Sequence, residues 1–259
     1  MPSTTPPKTR SSYLRLLAGV QNTSALAFST FLAVHLASPV FATFGGGEVA
    51  NQVMLLGRAY YHPLEPVLIY GSVSAHLAAS LLRRLHMLKT TQFHRPALTL
   101  HHMTGYLLIP FLTLHVLTHR LIPSSSAQPI NGLSPAELDY SFVSYGLRMW
   151  PVVSWTTYAL LIVTGVSHGM SGLPKVFRWF TTRSKAELET ARTTSTKDTV
   201  RTPARRALSG KWANGASIGL ISLLGVALFR LHAEDPLYGS FMRKRVDAVY
   251  RSIPWLYRS

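Results

Sequence analysis

The chain has 259 residues, a formal net charge of +16 and no cysteine. The missing thiols exclude a disulfide, a thiolate haem ligand, an iron–sulfur cluster, a cysteine-based zinc site and covalent c-type haem attachment. The charge alone would suit a nucleic-acid binder. The apolar residues, however, gather in blocks long enough to cross a hydrocarbon layer, which takes about 20 helical residues, and the cations lie outside those blocks, so no nucleic-acid partner is expected.

In chain order, the 1–17 segment is a basic Pro/Ser/Thr-rich tail without an acid, and reads as mobile. Five membrane spans follow, at roughly 22–44, 63–85, 98–122, 145–172 and 212–231. Blocks of this length are helices, because in lipid only helices and closed barrels satisfy their own backbone. Gly45-Gly46-Gly47 is expected to end span one and open a loop, in which Tyr60-Tyr61-His62-Pro63 suits the membrane–water interface. Span four begins raggedly at Arg148, Trp150 and Pro151, with its core at 152–166. Ahead of it, Ser134-Pro135-Ala136-Glu137 resembles a helix start with proline in the first turn. A basic segment, 175–211, separates spans four and five, and its 181–206 stretch reads as solvated and largely disordered. The 233–259 tail is amphipathic: either a helix lying on a membrane surface or one packed on the rest of the protein. The expected fold is therefore all-α, a polytopic membrane protein with one five-helix domain at 18–232.

Topology follows from the cations. Ten lie from Lys175 to Lys211; Arg83, Arg84, Lys89 and Arg95 fall between spans two and three; Lys8, Arg10 and Arg15 precede span one. With five alternating spans these regions share one face, whereas the opposite loops carry Arg58, Arg120 and Arg148. Positive-inside bias puts the N-terminus on the cytosolic side.

Four of the spans each carry a histidine well inside them: His35, His76, His115 and His168. An ionisable group in the bilayer core is costly and marks a function by default. Histidine is also the commonest metal ligand. By depth, the four fall into two couples, His35/His115 and His76/His168, so haem iron between paired imidazoles is one reading. Interhelical hydrogen bonding is the other, and the small residues around these positions suit either close helix packing or a flat macrocycle. His101 lies fourteen residues before His115, on nearly the same helical face, and stands in reserve. His119 is one turn beyond His115. His62, His86, His94 and His232 sit at span boundaries and read as solvated.

The segments "ALAFSTFLAVHLASPVF", "VLIYGSVSAHLAASLLRRL" and "LHHMTGYLLIPFLTLHVLTHRL" resemble the cytochrome b membrane anchor of succinate dehydrogenase and fumarate reductase. "HHMTG" is similar to the His-x-x-[Thr/Ser]-Gly element of those anchors. More closely, the layout over about 18–231 resembles the fungal mitochondrial outer-membrane MCP family. That resemblance implies a five-helix, haem-binding domain with a role in mitochondrial lipid homeostasis. It makes His35, His76, His115, His168 and His101 the candidates for binding haem b, the first four as ligands of its iron. It also implies membrane lipids as partners, and a bridge-like lipid-transfer protein recruited at contact sites. In the family that recruitment is tied to a proline motif in the N-terminal tail; here the tail has Pro2, Pro6 and Pro7 without a proline-x-proline core.

Two other functions fit the residues. A haem b electron carrier would use couples at two depths. A lipid scramblase or transporter would use the histidines as polar glue and line a groove with Ser72, Ser74 and Ser80, or with Thr113 and Thr118. No flavin or nicotinamide motif, nucleophile–base pair or phosphate loop is evident, so an enzymatic assignment would rest on haem alone.

Overall fold

The computed structural model describes residues 8–90, 98–134, 137–191, 203–236, 238–253 and 255–257. The tail prolines, His94, Arg95, the Pro135-Ala136 pair and the 192–202 part of the basic segment lie outside the described residues. Seven α-helices occur among the described residues: α1 (Lys8–Tyr61), α2 (Ser72–Thr90), α3 (Leu100–Val116), α4 (Tyr140–Met149), α5 (Pro151–Ala191), α6 (Pro203–Ala233) and α7 (Ser240–Arg251). Three helical stretches, Ser12–Leu64, Leu100–Leu121 and Asn214–Ala233, are long and apolar enough to cross a membrane.

The burial pattern is that of a membrane protein. Large apolar side chains face outward: Leu56, Phe44, Ile218 and Phe229 are each two-thirds or more exposed. Hydroxyls are turned inward, with Ser24, Thr104, Thr118 and Thr164 buried. Each donates to a carbonyl one turn back on its own helix (Val20, Leu100, Leu114 and Leu160), so no partner from another helix is needed. In water such an apolar exterior would aggregate; in lipid it is the solvated face.

Two compact units form. The first comprises Met1–Val34, Ala59–Leu98 and Gly172–Val200; the second comprises His35–Arg58, Thr99–Ser171 and Arg201–Ser259. In the first, Gly19 lies against the Trp179 ring, where an added Cβ would sit 3.5 Å from the indole. Phe31 packs edge-on against Tyr61 at 4.9 Å between ring centroids. The second unit has two cores. One uses small residues to bring helices close: Ala42 and Ala50 of α1 meet Leu147 of α4 and Ala227, Leu228 and Leu231 of α6. The other is aromatic. Phe142, Tyr145, Trp150, Tyr250 and Tyr257 pack with Val246, Val249 and Ile253, and Tyr250 donates to the Phe142 carbonyl at 2.9 Å. The 233–259 tail is therefore packed on the protein through one face of α7.

Several boundaries depart from the sequence expectation. Gly45-Gly46-Gly47 breaks α1 without ending it. Gly46 has φ 63° and ψ −159°, which only glycine adopts without strain. The helix then resumes to Tyr61, its new N-terminus capped by Glu234, whose carboxylate accepts from Gly47 N–H at 2.8 Å. Ala50 is fully buried in that resumed turn, and Asn51 Oδ1 accepts from Tyr140 N–H at 2.8 Å. The ragged start of span four is a true break. Trp150, held out of the α region before Pro151 (φ −131°, ψ 64°), separates α4 from α5. The helix start expected at Ser134 is seen as a short turn, in which Glu137 N–H donates to the Ser134 carbonyl at 3.0 Å and the Glu137 carboxylate accepts from Ser134 N–H at 2.7 Å. The longer helix α4 follows Asp139, which accepts from Ser141 N–H at 2.9 Å. The 181–206 stretch is helical through Ala191 and again from Pro203, consistent with the strong helix formers of "KAELETA".

Candidate functional site

The second unit holds two histidine couples, both anchored on α3. His35 of α1 and His115 of α3 face each other with ring centroids 6.0 Å apart and planes at 70°. Nδ1 of His115 is buried and has no hydrogen-bond partner. An unsatisfied buried polar atom of this kind costs about 1–3 kcal/mol. Immediately after His115 the helix widens into a π-turn, Leu117–Leu121, closed by the Ile122 N–H bond to the Leu117 carbonyl at 2.9 Å. Such turns gather at functional sites because they displace side chains from the regular register. Here the turn carries His119, whose ring lies 4.4 Å from that of His115. His119 Nε2 is in turn 2.9 Å from the Tyr158 hydroxyl of α5, and its ring packs edge-on against Phe142.

The other couple is His101 of α3 and His168 of α5. Their rings are stacked, 4.2 Å apart and within 8° of parallel. Each Nδ1 reaches the other residue's backbone carbonyl, His101 to His168 O at 3.2 Å and His168 to His101 O at 3.0 Å. Ser171 Oγ lies 3.0 Å from His101 Nδ1 as well. Gly105 makes the stack feasible, since a Cβ there would come within 2.8 Å of the His168 ring. Four of the five residues of "HHMTG" thus have a local task. His101 enters the stack, Gly105 leaves it room, and Thr104 bonds back to the Leu100 carbonyl. His102 Nδ1 sits 2.8 Å from Thr99 Oγ1 at the helix start. Fourteen residues along α3 put the two couples roughly 21 Å apart.

His76 belongs to the first unit. Its Nδ1 meets the Gln21 carbonyl at 3.2 Å. Gln21 also donates to Ser80 Oγ at 2.8 Å and accepts from Arg83. Gln21 organises this cluster, and sequence reading missed it; its only signal was an amide next to an apolar block.

Iron held by two imidazole nitrogens at about 2 Å each spaces the ring centroids by roughly 6 Å. His35 and His115 fit that spacing, and the orphaned His115 Nδ1 marks an imidazole whose polar capacity the protein leaves unused. The stacked His101–His168 rings do not fit an iron between them without parting. Of the groove hydroxyls, Ser72, Thr113 and Thr118 donate to carbonyls of their own helices, and Ser80 is taken by Gln21. Two boundary histidines are less solvated than expected, His86 packing on Tyr13 and His232 lying beside Trp155, whereas His62 is exposed and pairs with Glu65 at 3.1 Å.

Residues 110–228, just under half of the chain, match the family model described as MDM10-complementing protein 1, transmembrane domain. The matched stretch contains His115, His119, Tyr158 and His168 and begins after His35, His76 and His101. No curated protein and no solved structure matches the chain. The transmembrane-domain match and the outward apolar faces of long helices make this a membrane protein.

Proposed function

We propose that this chain is a multi-pass protein of the mitochondrial outer membrane with a role in mitochondrial lipid homeostasis, a five-helix bundle in which His35 and His115 hold a b-type haem. The observation that carries the haem reading is the His35–His115 couple, with ring centroids 6.0 Å apart and one buried nitrogen unpartnered. The family reading rests on the match to the transmembrane domain over 110–228, which also motivates the mitochondrial location and the contact-site role with a bridge-like lipid-transfer protein.

The residues divide the work. His35 and His115 would hold the iron through ring nitrogens. His119, fixed by Tyr158, buttresses the His115 ring from the next turn. A haem bound there would supply electron exchange or a structural strut, with both imidazoles engaged by it. His76, His101 and His168 remain candidates for a second group, which would require the His101–His168 stack to open.

A second reading, transmembrane electron transfer, is favoured by the spacing of the two couples along α3. The test is the visible spectrum of the detergent-purified protein, oxidised and reduced, with a pyridine haemochrome count. Sharp reduced α and β bands that disappear in His115→Ala support the first reading, and two haems per chain would move the assignment to the second. A chain expressed with added haem that shows no Soret band has histidines that serve packing alone.

A further inference from the structure

The end of the second unit that carries α7 holds an open groove of about 820 Å³. Its floor is apolar, from Leu121 and Ile122 at the end of the α3 span and from Ile130 and Ala248. Its rim is cationic, from Lys244 and Arg251. This division follows from the register of α7. Val246, Val249, Tyr250 and Ile253 make one face and are buried in the aromatic core. Lys244, Asp247, Ala248 and Arg251 fall three to four residues apart on the other, and line the groove. Asp247 is the one acid in the lining, and its carboxylate is engaged: Arg251 Nε donates to it at 2.5 Å and the Tyr145 hydroxyl at 3.3 Å. The Arg251 guanidinium also lies over the Trp150 ring, 5.9 Å from its centroid. Lys244 is exposed at the mouth.

We propose that this groove binds the headgroup of an anionic glycerophospholipid from the leaflet in which α3 ends. Position argues for a lipid over a soluble ligand. The floor is continuous with the span, and Leu121 is half exposed there, so acyl chains leaving the groove run down an apolar helix flank. Charge argues for an anionic lipid. Two cations against one acid leave the rim positive, so a headgroup with net negative charge is favoured over a zwitterion. The groove is large enough to seat a small polar group. The site uses none of the histidines; it rests on the membrane location and is independent of haem.

The experiment uses the full chain in nanodiscs of phosphatidylcholine containing a minority of phosphatidic acid, released and weighed by native mass spectrometry. Phosphatidic acid should be retained over phosphatidylcholine by about fivefold or more per engaged cation. Lys244→Glu should bring that ratio close to one, and Lys244→Arg should keep it. Ala127→Trp, on the exposed loop side of the groove, should lower retention of phosphatidic acid by steric filling. Equal retention of the two lipids by the wild-type chain, or unchanged preference in Lys244→Glu, overturns the proposal. Displacement of the lipid by inorganic phosphate also overturns it, in favour of a free-anion site. An unchanged visible spectrum throughout separates this result from the fate of the haem reading.

Discussion

His101 and His168 engage each other: each Nδ1 finds the other's carbonyl and the two planes lie flat together. His35 and His115, roughly 21 Å away along the same helix, do not. Their rings stand apart, nearly perpendicular, with Nδ1 of His115 unpartnered. The first arrangement is what polar glue between membrane helices looks like. The second leaves the buried Nδ1 of His115 without a partner from the described residues, as is also the case for Nδ1 of His232 beside Trp155; the proposed haem is one account of it at His115. A histidine inside a span is therefore not one kind of signal. The two couples differ in what their Nδ1 atoms meet, and the haem proposal rests on that difference.

The sharpest way to break this contrast is to remove one histidine from each couple. His115→Ala should abolish haem binding, while His168→Ala should leave the haem spectrum in place and lower thermal stability. The reverse pattern in absorbance would exchange the roles of the couples. Gly105→Val probes the closed couple from its other side. Its side chain would meet the His168 ring, and overpacking of this kind costs about 1–3 kcal/mol. A lower unfolding midpoint in detergent with an intact Soret band is the expected result. Tyr158→Phe takes away the hydroxyl beside His119 Nε2, a change of about 1 kcal/mol. It should soften the open couple, seen as a reduced midpoint and a small shift of the haem bands, without loss of haem.

The smallest effect lies away from both couples, at Glu137. The Ser134 N–H and the Arg245 guanidinium hold its carboxyl below the ordinary 4.5. The folded state thus favours the ionised form. Its contribution is fully present above about pH 4.5 and is lost as pH falls through the lowered folded value. Thermal unfolding at neutral and acid pH should show a modest acid loss, and Glu137→Gln should flatten that difference. A variant as acid-sensitive as the wild type would assign the loss elsewhere.

Much of the architecture was legible from periodicity and block length, since lipid forces spans to be helical. The breaks were only half legible. Pro151 announced the α4–α5 break, because the residue before proline avoids the α region. The glycine triplet announced a disturbance and not its outcome; the capping carboxylate that lets the helix resume comes from Glu234, far along the chain. The site followed the same rule. His35 with His115 was visible as a depth match, a one-dimensional property. That His168 would turn to His101 depended on helix rotation and on the absence of a Cβ at Gly105, which depth does not encode. Gln21 was missed for the same reason: its role exists only once His76, Ser80 and Arg83 surround it.

The Glu234 clasp on α1 also bears on how the chain is made. Gly47 and Glu234 are separated by 187 residues. The Thr43 hydroxyl and the Phe44 carbonyl likewise find their partners on α6, at the Leu223 carbonyl and Arg230. At ordinary synthesis speeds the first helix waits roughly 10–40 s for the residue that closes its break. Until then Gly47 N–H lacks its carboxylate partner. Final assembly is therefore a late event in biogenesis, and a truncation just before Glu234 would retain every span yet leave the earliest one unfinished, a form suited to recognition by membrane quality control.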